Sequence, residues 1–252
     1  MRVVSLVPSW TETLLHAGVN VVGRSHFCIH PREKVNTIPA VGGTKNWDFA
    51  RIKELKPDLL LLDREENPKF MAEQDELPYL ATHVEAVASV PSALTQMSVR
   101  LNNSHLATLA QRWEIIAQWQ GLSRWTPGDP LPGLLEWGRE PVEPVRRAIY
   151  VIWRNPWMTV AKTTFIGSVL EKCGLASYLE EFPTKYPVFD LNTFPPDETL
   201  LLFSSEPYPF LRKKEALNSL PNPYGFVDGE AFSWFGLRSL EFLEKLKNST
   251  HR

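Results

Sequence analysis

The chain has 252 residues, 43% of them hydrophobic and 22% charged, which suffices for one large domain or for two lobes with separate cores. Lys and Arg number 27 and Asp and Glu number 29, so the net charge of −2 gives no electrostatic reason to expect nucleic acid or an anionic membrane as a partner. The 9 tryptophans indicate flat apolar surface offered to a ligand, although core packing also accounts for such residues.

The first third of the chain alternates predicted strands with predicted helices. Short apolar runs typical of buried strands lie at 2–7, 19–23 and 58–63. Ser9 and Glu12 have the spacing of a capping box, and Asp48 is placed to cap a second helix. This alternation predicts an α/β lobe with a short parallel sheet over residues 1–91.

A helical segment and then a loop follow this lobe. Apolar residues recur at a helical period from about 92 onwards with almost no Gly or Pro, which predicts one long bridging helix over 92–125. A helix of about 30 residues spans about 45 Å, and Asn102-Asn103 would be the place for a break. Residues 126–145 are rich in Pro and Gly and predict a connecting loop.

A second α/β lobe is predicted over 146–252. It has strand-like runs at 148–153 and 198–203, a helix capped by Thr164 with Cys173 on its apolar side, and a final amphipathic helix.

The two halves also resemble each other in their order of segments. RVVSLVPSWTETLLHAG resembles RAIYVIWRNPWMTVAKTTFIGSVLEKCG, and LKPDLLLLDREENP resembles FPPDETLLLFSSEPYP. Two similar lobes joined by a helix would leave a cleft between them, and clefts are where ligands commonly bind.

Three possible metal donors lie close together after the second predicted strand. If this segment is extended, alternation puts His26, Cys28 and His30 on one face, and imidazole and thiolate suit soft or borderline metals. The alternative is a polar loop with one buried, hydrogen-bonded histidine. The chain has two cysteines, Cys28 and Cys173, so neither a disulfide framework nor a CxxC metal site follows.

Two further segments could present side chains to a ligand. The Gly-rich run 41–48 lacks the spacing of known phosphate-binding loops, which favours a tight turn and helix cap that presents Trp47. The run 153–159 holds two Trp and one Met, which suit a large, flat, partly apolar ligand but are also compatible with a plain core.

Acidic residues stand beside aromatic ones at 204–210 and 228–236. A carboxylate pair could indicate acid–base catalysis. No nucleophile elbow or paired-histidine helix accompanies them, so salt bridges or helix caps are the favoured roles of Glu206 and Asp228.

Five segments in chain order, covering nearly the whole chain, resemble the helical-backbone metal-receptor family. That family includes the vitamin B12 and iron-siderophore substrate-binding proteins of ABC importers, and the likeness is closest to the cobalamin-type members. The segments are RVVSLVPSWTETLLHAGV…VVGRSHFCIHP, VGGTKNWDFARIKELKPDLLLLD, IWRNPWMTVAKTTFIGSVLEKCG, SSEPYPF and VDGEAFSWFGLRSLEFLEKL. The resemblance implies a class III periplasmic-binding-protein-like architecture: two α/β lobes bridged by one long helix, with the ligand in the interlobe cleft.

The resemblance also implies which loops face the ligand, namely those that follow the strand ends. The ligand-binding residues expected on this chain are Pro8, Trp10, His26, Phe27, Cys28, His30, Thr44, Lys45, Trp47, Trp153, Asn155, Trp157, Glu206, Tyr208, Ser233, Trp234 and Phe235. The candidates for an axial metal ligand are His26, Cys28 and His30. Many relatives carry an acidic and an aromatic residue where this chain has Ile29 and His30, a departure that bears on ligand identity.

The resulting hypothesis is a solute-binding protein that holds cobalamin, cobinamide or a similar metal chelate for ABC-type import. We expect it to be a monomer, not an enzyme, and to need no catalytic cofactor. The first alternative is an iron siderophore or haem as the ligand. The second is direct binding of a bare metal ion through His26, Cys28 and His30. The third is an enzyme that uses an acidic residue as acid or base, the candidates being Asp228, Glu230 and Glu206.

Two observations bear on the partner and the location. In transporter-coupled relatives one exposed glutamate on each lobe docks onto permease arginines, and approximate alignment puts Ala50 and Ser233 at those places, which weakens the case for a permease. The residues before Pro8 are too few for the apolar core of a signal peptide. The sequence therefore predicts a cytoplasmic location, with a periplasmic or cell-surface location if an export signal was removed.

Overall fold

The computed structural model describes residues 1–142 and 145–249. The chain divides into two compact units, one formed by Met1–Gln118 with Trp234–Leu240 and the other by Trp119–Ser233 with Glu241–Arg252. The parts of the predicted connecting loop and C-terminal lobe that fall on 143–144 and 250–252 lie outside the described residues.

The elements of the first unit alternate strands and helices and end in two consecutive helices. They are β1 (Arg2–Ser5), α1 (Pro8–His16), β2 (Asn20–Arg24), α2 (Arg32–Val35), α3 (Phe49–Glu54), β3 (Leu59–Asp63), β4 (Tyr79–Thr82), α4 (Val90–Leu101) and α5 (Ser104–Gln118). The four strands form one parallel sheet in the order β2-β1-β3-β4. Every residue of β3 is buried, which explains its uninterrupted apolar run, because helices cover both faces of such a sheet.

The second unit contains a five-stranded mixed sheet. Its elements are β5 (Leu134–Arg139), β6 (Arg147–Trp153), β7 (Met158–Thr159), α6 (Phe165–Lys172), β8 (Thr199–Ser204), β9 (Tyr224–Val227) and α7 (Gly229–Ser233). The last helix, α8 (Leu237–Ser249), begins in the segment that belongs to the first unit. The sheet order is β5-β9-β8-β6-β7, with β6, β8 and β9 parallel and the edge strands β5 and β7 antiparallel. The α/β class is as predicted, but this sheet is not purely parallel.

The predicted connecting loop 126–145 contains a strand. β5 pairs with β9, with Trp137 opposite Gly225. The ring of Tyr224 lies so close to Gly138 that a Cβ there would be 1.9 Å from it, so a glycine is required. Sequence periodicity missed this strand because most of its side chains are exposed and its Gly-rich surroundings are typical of loops.

The predicted continuous helix over 92–125 is corrected to the two helices α4 and α5, both in the first unit. Asn102, directly after α4, adopts the left-handed conformation with φ 48° and ψ 53°. The side-chain Oδ1 of Asn103 then accepts the backbone N–H of Leu106 at 3.1 Å, which caps the start of α5. In the described part of the chain no helix combines the length and the apolar character needed to cross a membrane.

Of the caps predicted for α1, α3 and α6, the last two are correct and the first is wrong. The Asp48 carboxylate accepts the N–H of Arg51 at 3.0 Å, and the Thr164 hydroxyl accepts the N–H of Gly167 at 3.0 Å, as predicted. The capping box at Ser9 is wrong, because α1 already begins at Pro8. A proline at the first helical position needs no hydrogen-bond partner for its nitrogen, so the helix starts there.

Candidate functional site

The loops after the strands of the first unit lie along one edge of its sheet. The carboxyl ends of parallel strands meet at the same edge, so residues following β1, β2, β3 and β4 are neighbours. Two side-chain hydrogen bonds link these loops. The Asn67 amide donates to the Thr44 carbonyl at 2.9 Å, and the Lys45 ammonium donates to the Glu65 carbonyl at 3.1 Å. This edge is therefore one connected surface.

The segment after β2 is a turn and not an extended strand. His26 and Phe27 are exposed, His30 is half-buried, and Cys28 is fully buried. The backbone N–H of Cys28 returns to the Ser25 carbonyl at 3.2 Å, which removes the alternation on which the three-donor prediction rested. The predicted bare-metal cluster of His26, Cys28 and His30 is therefore wrong, because the turn buries Cys28 and leaves His26 exposed.

Cys28 is also unsuited as a metal donor on chemical grounds. Its Sγ lies 3.0 Å from the Thr11 hydroxyl and 3.2 Å from the Ser25 hydroxyl, in the interior. Burial raises the pKa of the Cys28 thiol, because removing water from around it disfavours the thiolate, and the two hydroxyls offset this only in part. The thiolate is the metal-binding form, so Cys28 drops out of the axial-ligand prediction. His26 and His30 stay in it as a prediction.

The Gly-rich segment forms the tight turn and helix cap that the sequence predicts. Gly42 has φ 116°, and a Cβ there would lie 2.6 Å from a backbone oxygen, so the turn requires glycine. Lys45 is exposed and Thr44 is buried. Trp47 is half-buried, stacked on Phe49 with ring centroids 4.8 Å apart, so only part of its ring is available to a ligand.

Three predicted ligand-binding rings belong to the core of the first unit instead. Trp10 is fully buried, and its indole N–H donates to the Thr82 hydroxyl at 2.9 Å. Phe235 packs edge-on against Trp10, with ring centroids 4.9 Å apart. Trp234 is 7% exposed and contacts the His30 ring at a centroid distance of 5.3 Å. These rings offer almost no surface to a ligand, because segment 234–240 packs against Met1–Gln118 within the first unit. Pro8, beside them, is half-buried.

The second unit presents aromatic surface at the carboxyl ends of β6 and β8. Trp153, the last residue of β6, is 40% exposed, and its ring lies edge-on to Tyr208 with centroids 5.5 Å apart. Trp157 is half-buried and stacks parallel to Phe210 at 6.2 Å. Asn155, between the two tryptophans, is exposed and has φ 65°. Trp153, Trp157 and Tyr208 thus belong to one aromatic cluster, which Phe210 joins. That these residues and Asn155 bind a ligand stays a prediction.

Two cations lie over these rings. The Arg154 guanidinium is 5.3 Å from the centroid of Trp157, and the Lys213 ammonium is 4.8 Å from the centroid of Tyr208. Such contacts hold a positive charge beside an apolar face. The surface can therefore pack against a flat ring system and attract an anionic group at the edge of that ring system.

The carboxylates near this surface serve structural roles. Asp228 accepts the backbone N–H groups of Glu230 at 3.1 Å and Ala231 at 3.3 Å, which makes it the cap of α7. Glu206 accepts the hydroxyl of Ser233 at 3.0 Å, and both residues are half-buried. The helix-cap role predicted for Asp228 is confirmed.

Sequence reasoning missed a cluster directly after β3 and β4. Nε2 of His83 lies 3.2 Å from Oε1 of Glu65 and 3.4 Å from Oε2 of Glu85. These three residues could hold a metal ion, because their ligand atoms all lie within 4.8 Å of one another. Within residues 1–142 and 145–249, no other three His, Cys, Asp or Glu residues meet this condition. Polar residues immediately after two adjacent parallel strands were the signal that could have found it.

The first unit contains two open cavities near this edge. One, of about 780 Å³, is lined by the end of β3, the segment after it and β4, and includes Asp63, Asn67 and Tyr79. The other, of about 410 Å³, is lined by His26, Cys28, Ile29 and His30 together with α2. The larger falls in the size range of small-molecule sites.

Comparison with solved structures identifies the fold. The vitamin B12-binding protein BtuF of Vibrio cholerae matches with a TM-score of 0.69 at 17% identity, covering 100% of this chain and 98% of that one. The haem-binding protein HutB of Vibrio cholerae matches with a TM-score of 0.70 at 17% identity, covering 100% and 99%. An ABC-transporter substrate-binding protein of Listeria monocytogenes matches with a TM-score of 0.65 at 14% identity, covering 98% and 97%.

Neither a protein-family model nor a curated protein matches the sequence. The structural neighbours also include a protein of Staphylococcus epidermidis described as a possible iron-binding protein. The neighbours' descriptions therefore name vitamin B12, haem and iron. The neighbours agree with the family resemblance drawn from the five sequence segments.

The comparison overturns the cytoplasmic location predicted from the first residues. BtuF and HutB are both described as periplasmic, and so is the iron-binding neighbour. The chain has the fold of the periplasmic binding proteins for vitamin B12, haem and iron.

Proposed function

We propose that this protein is a non-enzymatic solute-binding protein for a flat metal chelate, with a corrinoid such as cobalamin or cobinamide as the first candidate. The loops at the carboxyl edges of the two sheets are the surfaces assigned to binding. The location that fits this role is periplasmic or extracellular, as for the structural neighbours. Delivery to an ABC permease is part of the proposal.

The observation that supports the proposal is the aromatic surface of Trp153 and Tyr208. The Trp153 side chain is 40% exposed, although burying an indole ring in the core would contribute favourable free energy. Such an exposed aromatic surface is typical of a binding site. The edge-on contact of Trp153 with Tyr208 holds both rings in fixed orientations. Rigid aromatic rings bind a flat apolar ligand with little loss of side-chain entropy.

Haem is a second candidate because of Arg154 and Lys213. Each cation is held over a ring of the same surface, within 5.3 Å of its centroid. Haem carries two carboxylates at one edge, whereas the corrinoids carry mainly neutral amides and, in cobalamin, one phosphate. Charge-assisted contacts of this kind would strengthen haem binding.

Titration of the purified protein tests the proposal. Cyanocobalamin, dicyanocobinamide, haemin and a ferric siderophore are each added, with heat release and visible absorption as the two readouts. One of the four is expected to bind with a stoichiometry of one or two. Absence of heat and of any band shift with all four would contradict the proposal.

Variants locate the binding surface. Trp153→Ala and Tyr208→Ala are each expected to weaken binding about ten-fold, which corresponds to about 1.4 kcal/mol. Ile115→Ala is the control, because Ile115 is 55% exposed on α5 and lines neither of the two cavities described above. Equal affinities for all three variants would place the ligand elsewhere.

A further inference from the structure

The trio Glu65, His83 and Glu85 combines one imidazole with two carboxylates at a single point of the surface. Its three ligand atoms lie within 4.8 Å of one another. The side chains are 23%, 38% and 43% exposed, so an ion can reach them from solvent. Two carboxylates this close repel each other unless a positive charge lies between them.

The spacing of the donor atoms fits a small metal ion. The Nε2 of His83 is 3.2 Å and 3.4 Å from the two carboxylate oxygens. A tetrahedral Zn²⁺ with ligands at about 2.0–2.1 Å keeps its ligand atoms roughly 3.3–3.4 Å apart. Imidazole with carboxylates is a donor set that borderline ions such as Zn²⁺ prefer.

One buried carboxylate, that of Asp63, holds both segments that carry the trio. It accepts the backbone N–H of Glu65 at 2.9 Å and the Thr82 hydroxyl at 2.6 Å, and it also bonds the backbone of Val84. Thr82 and Val84 flank His83 in the chain, so the turn after β3 and the turn after β4 are fixed to one anchor. Hydrogen bonds behind the ligands are what orient a metal site.

The third ligand has its own support. Ser89 Oγ accepts the backbone N–H groups of Glu85 at 3.1 Å and Ala86 at 3.2 Å, and it donates to the Ala86 carbonyl at 2.8 Å. The backbone that carries Glu85 is therefore fixed independently of its side chain.

We propose that Glu65, His83 and Glu85 bind one divalent transition-metal ion, with Zn²⁺ as the reference ion. Three protein ligands leave a fourth position open to water or to a donor atom of another molecule. The site is distinct from the predicted donors His26 and His30. It does not depend on the identity of the proposed chelate, because its three ligands all come from the first unit.

Zn²⁺ binding to chelator-treated, chelate-free protein tests this inference. Isothermal titration and native mass spectrometry are expected to show one tightly held Zn²⁺. His83→Ala, Glu65→Gln and Glu85→Gln should each weaken binding at least about 10-fold, since even the supporting residues of metal sites change affinity by about 10–100-fold. The glutamine variants keep the shape of the side chain and serve as the check on folding.

Two control variants complete the experiment. His105→Ala changes an exposed histidine on α5 and should leave Zn²⁺ affinity unchanged. The pair His26→Ala, His30→Ala should also leave it unchanged. Wild-type protein that binds no Zn²⁺ would show that the three side chains contact one another without holding a metal ion. Loss of binding only in the His26, His30 variant would move the metal to that segment; either result overturns the inference.

Discussion

At the scale of the residue, Cys28 shows how the surroundings decide the chemistry of a side chain. The sequence places it between two histidines, which suggests a thiolate donor, but the chain turns at Ser25 and carries the sulfur into the core. Cys173 is also fully buried, as its position in an apolar helical pattern predicts. Desolvation raises the pKa of both thiols, so each stays protonated at neutral pH.

Both thiols are therefore expected to be unreactive in the folded protein. Burial raises the pKa of each thiol above the ordinary value, which disfavours the reactive thiolate, and both sulfurs lie in the interior. A thiol-specific chromogenic reagent should react with neither cysteine in buffer and with both in concentrated urea. Fast reaction of either thiol without denaturant would contradict this expectation.

The candidate site was predictable in part at this scale. The positions of Trp153, Trp157 and Tyr208 at the sheet edge could be predicted from sequence, because residues directly after buried parallel strands lie there, while their role in binding stays a prediction. Trp10 could not be assigned correctly, because nothing in its local sequence shows that Phe235, near the other end of the chain, covers it.

At the scale of the element, the break between α4 and α5 depends on one dihedral angle. The apolar period runs through 92–122 without interruption, so periodicity alone predicts one helix. Asn102 adopts φ 48°, a conformation that asparagine tolerates better than other non-glycine residues. The strand β5 shows the opposite case, in which pairing with β9 makes a strand out of a loop-like sequence.

Substitution at Asn102 tests this account of the helix break. Asn102→Ala should lower the free energy of unfolding by about 1–2 kcal/mol, because alanine pays the full cost of the left-handed conformation, whereas Asn102→Gly should leave it nearly unchanged. Urea unfolding followed by circular dichroism gives the measurement. Val99→Ala, at a residue of α4 that is 78% exposed, is the control for a simple change of helix propensity. A more stable alanine variant would indicate that the helices prefer to be continuous.

At the scale of the whole molecule, a short late segment completes the first unit. Residues Trp234–Leu240 belong with Met1–Gln118, although the rest of the second unit separates them in sequence. Arg238 makes two bonds to the Glu12 carboxylate, Nε to Oε2 at 2.8 Å and Nη2 to Oε1 at 2.9 Å. The Glu12 side chain is only 10% exposed, so the carboxylate of this pair is largely shielded from solvent, while the Arg238 side chain is 30% exposed.

Removing one partner of this pair should destabilise the protein. Glu12→Gln is expected to cost about 1–3 kcal/mol of unfolding free energy, because the charge-assisted hydrogen bonds between Arg238 and a largely buried carboxylate are weakened. A double-mutant cycle with Arg238→Gln should show coupling between the two sites. Glu73→Gln, which breaks the exposed pair with Lys69, is the control and should leave stability unchanged. Additive effects of the two core substitutions would mean that the pair does not hold the segment in place.

Local sequence was enough to predict the α/β class, the buried strands β1, β3, β6 and β8, and the helix caps at Asp48, Thr164 and Asp228. These features follow from local periodicity and from hydrogen bonds between residues a few positions apart. Tertiary structure alone decided that β5 is a strand, that Trp10 and Trp234 are core, that Cys28 is buried, and that Glu65 meets His83 and Glu85. Each of these depends on contacts between segments distant in the chain, and such contacts leave no periodic signal in the sequence.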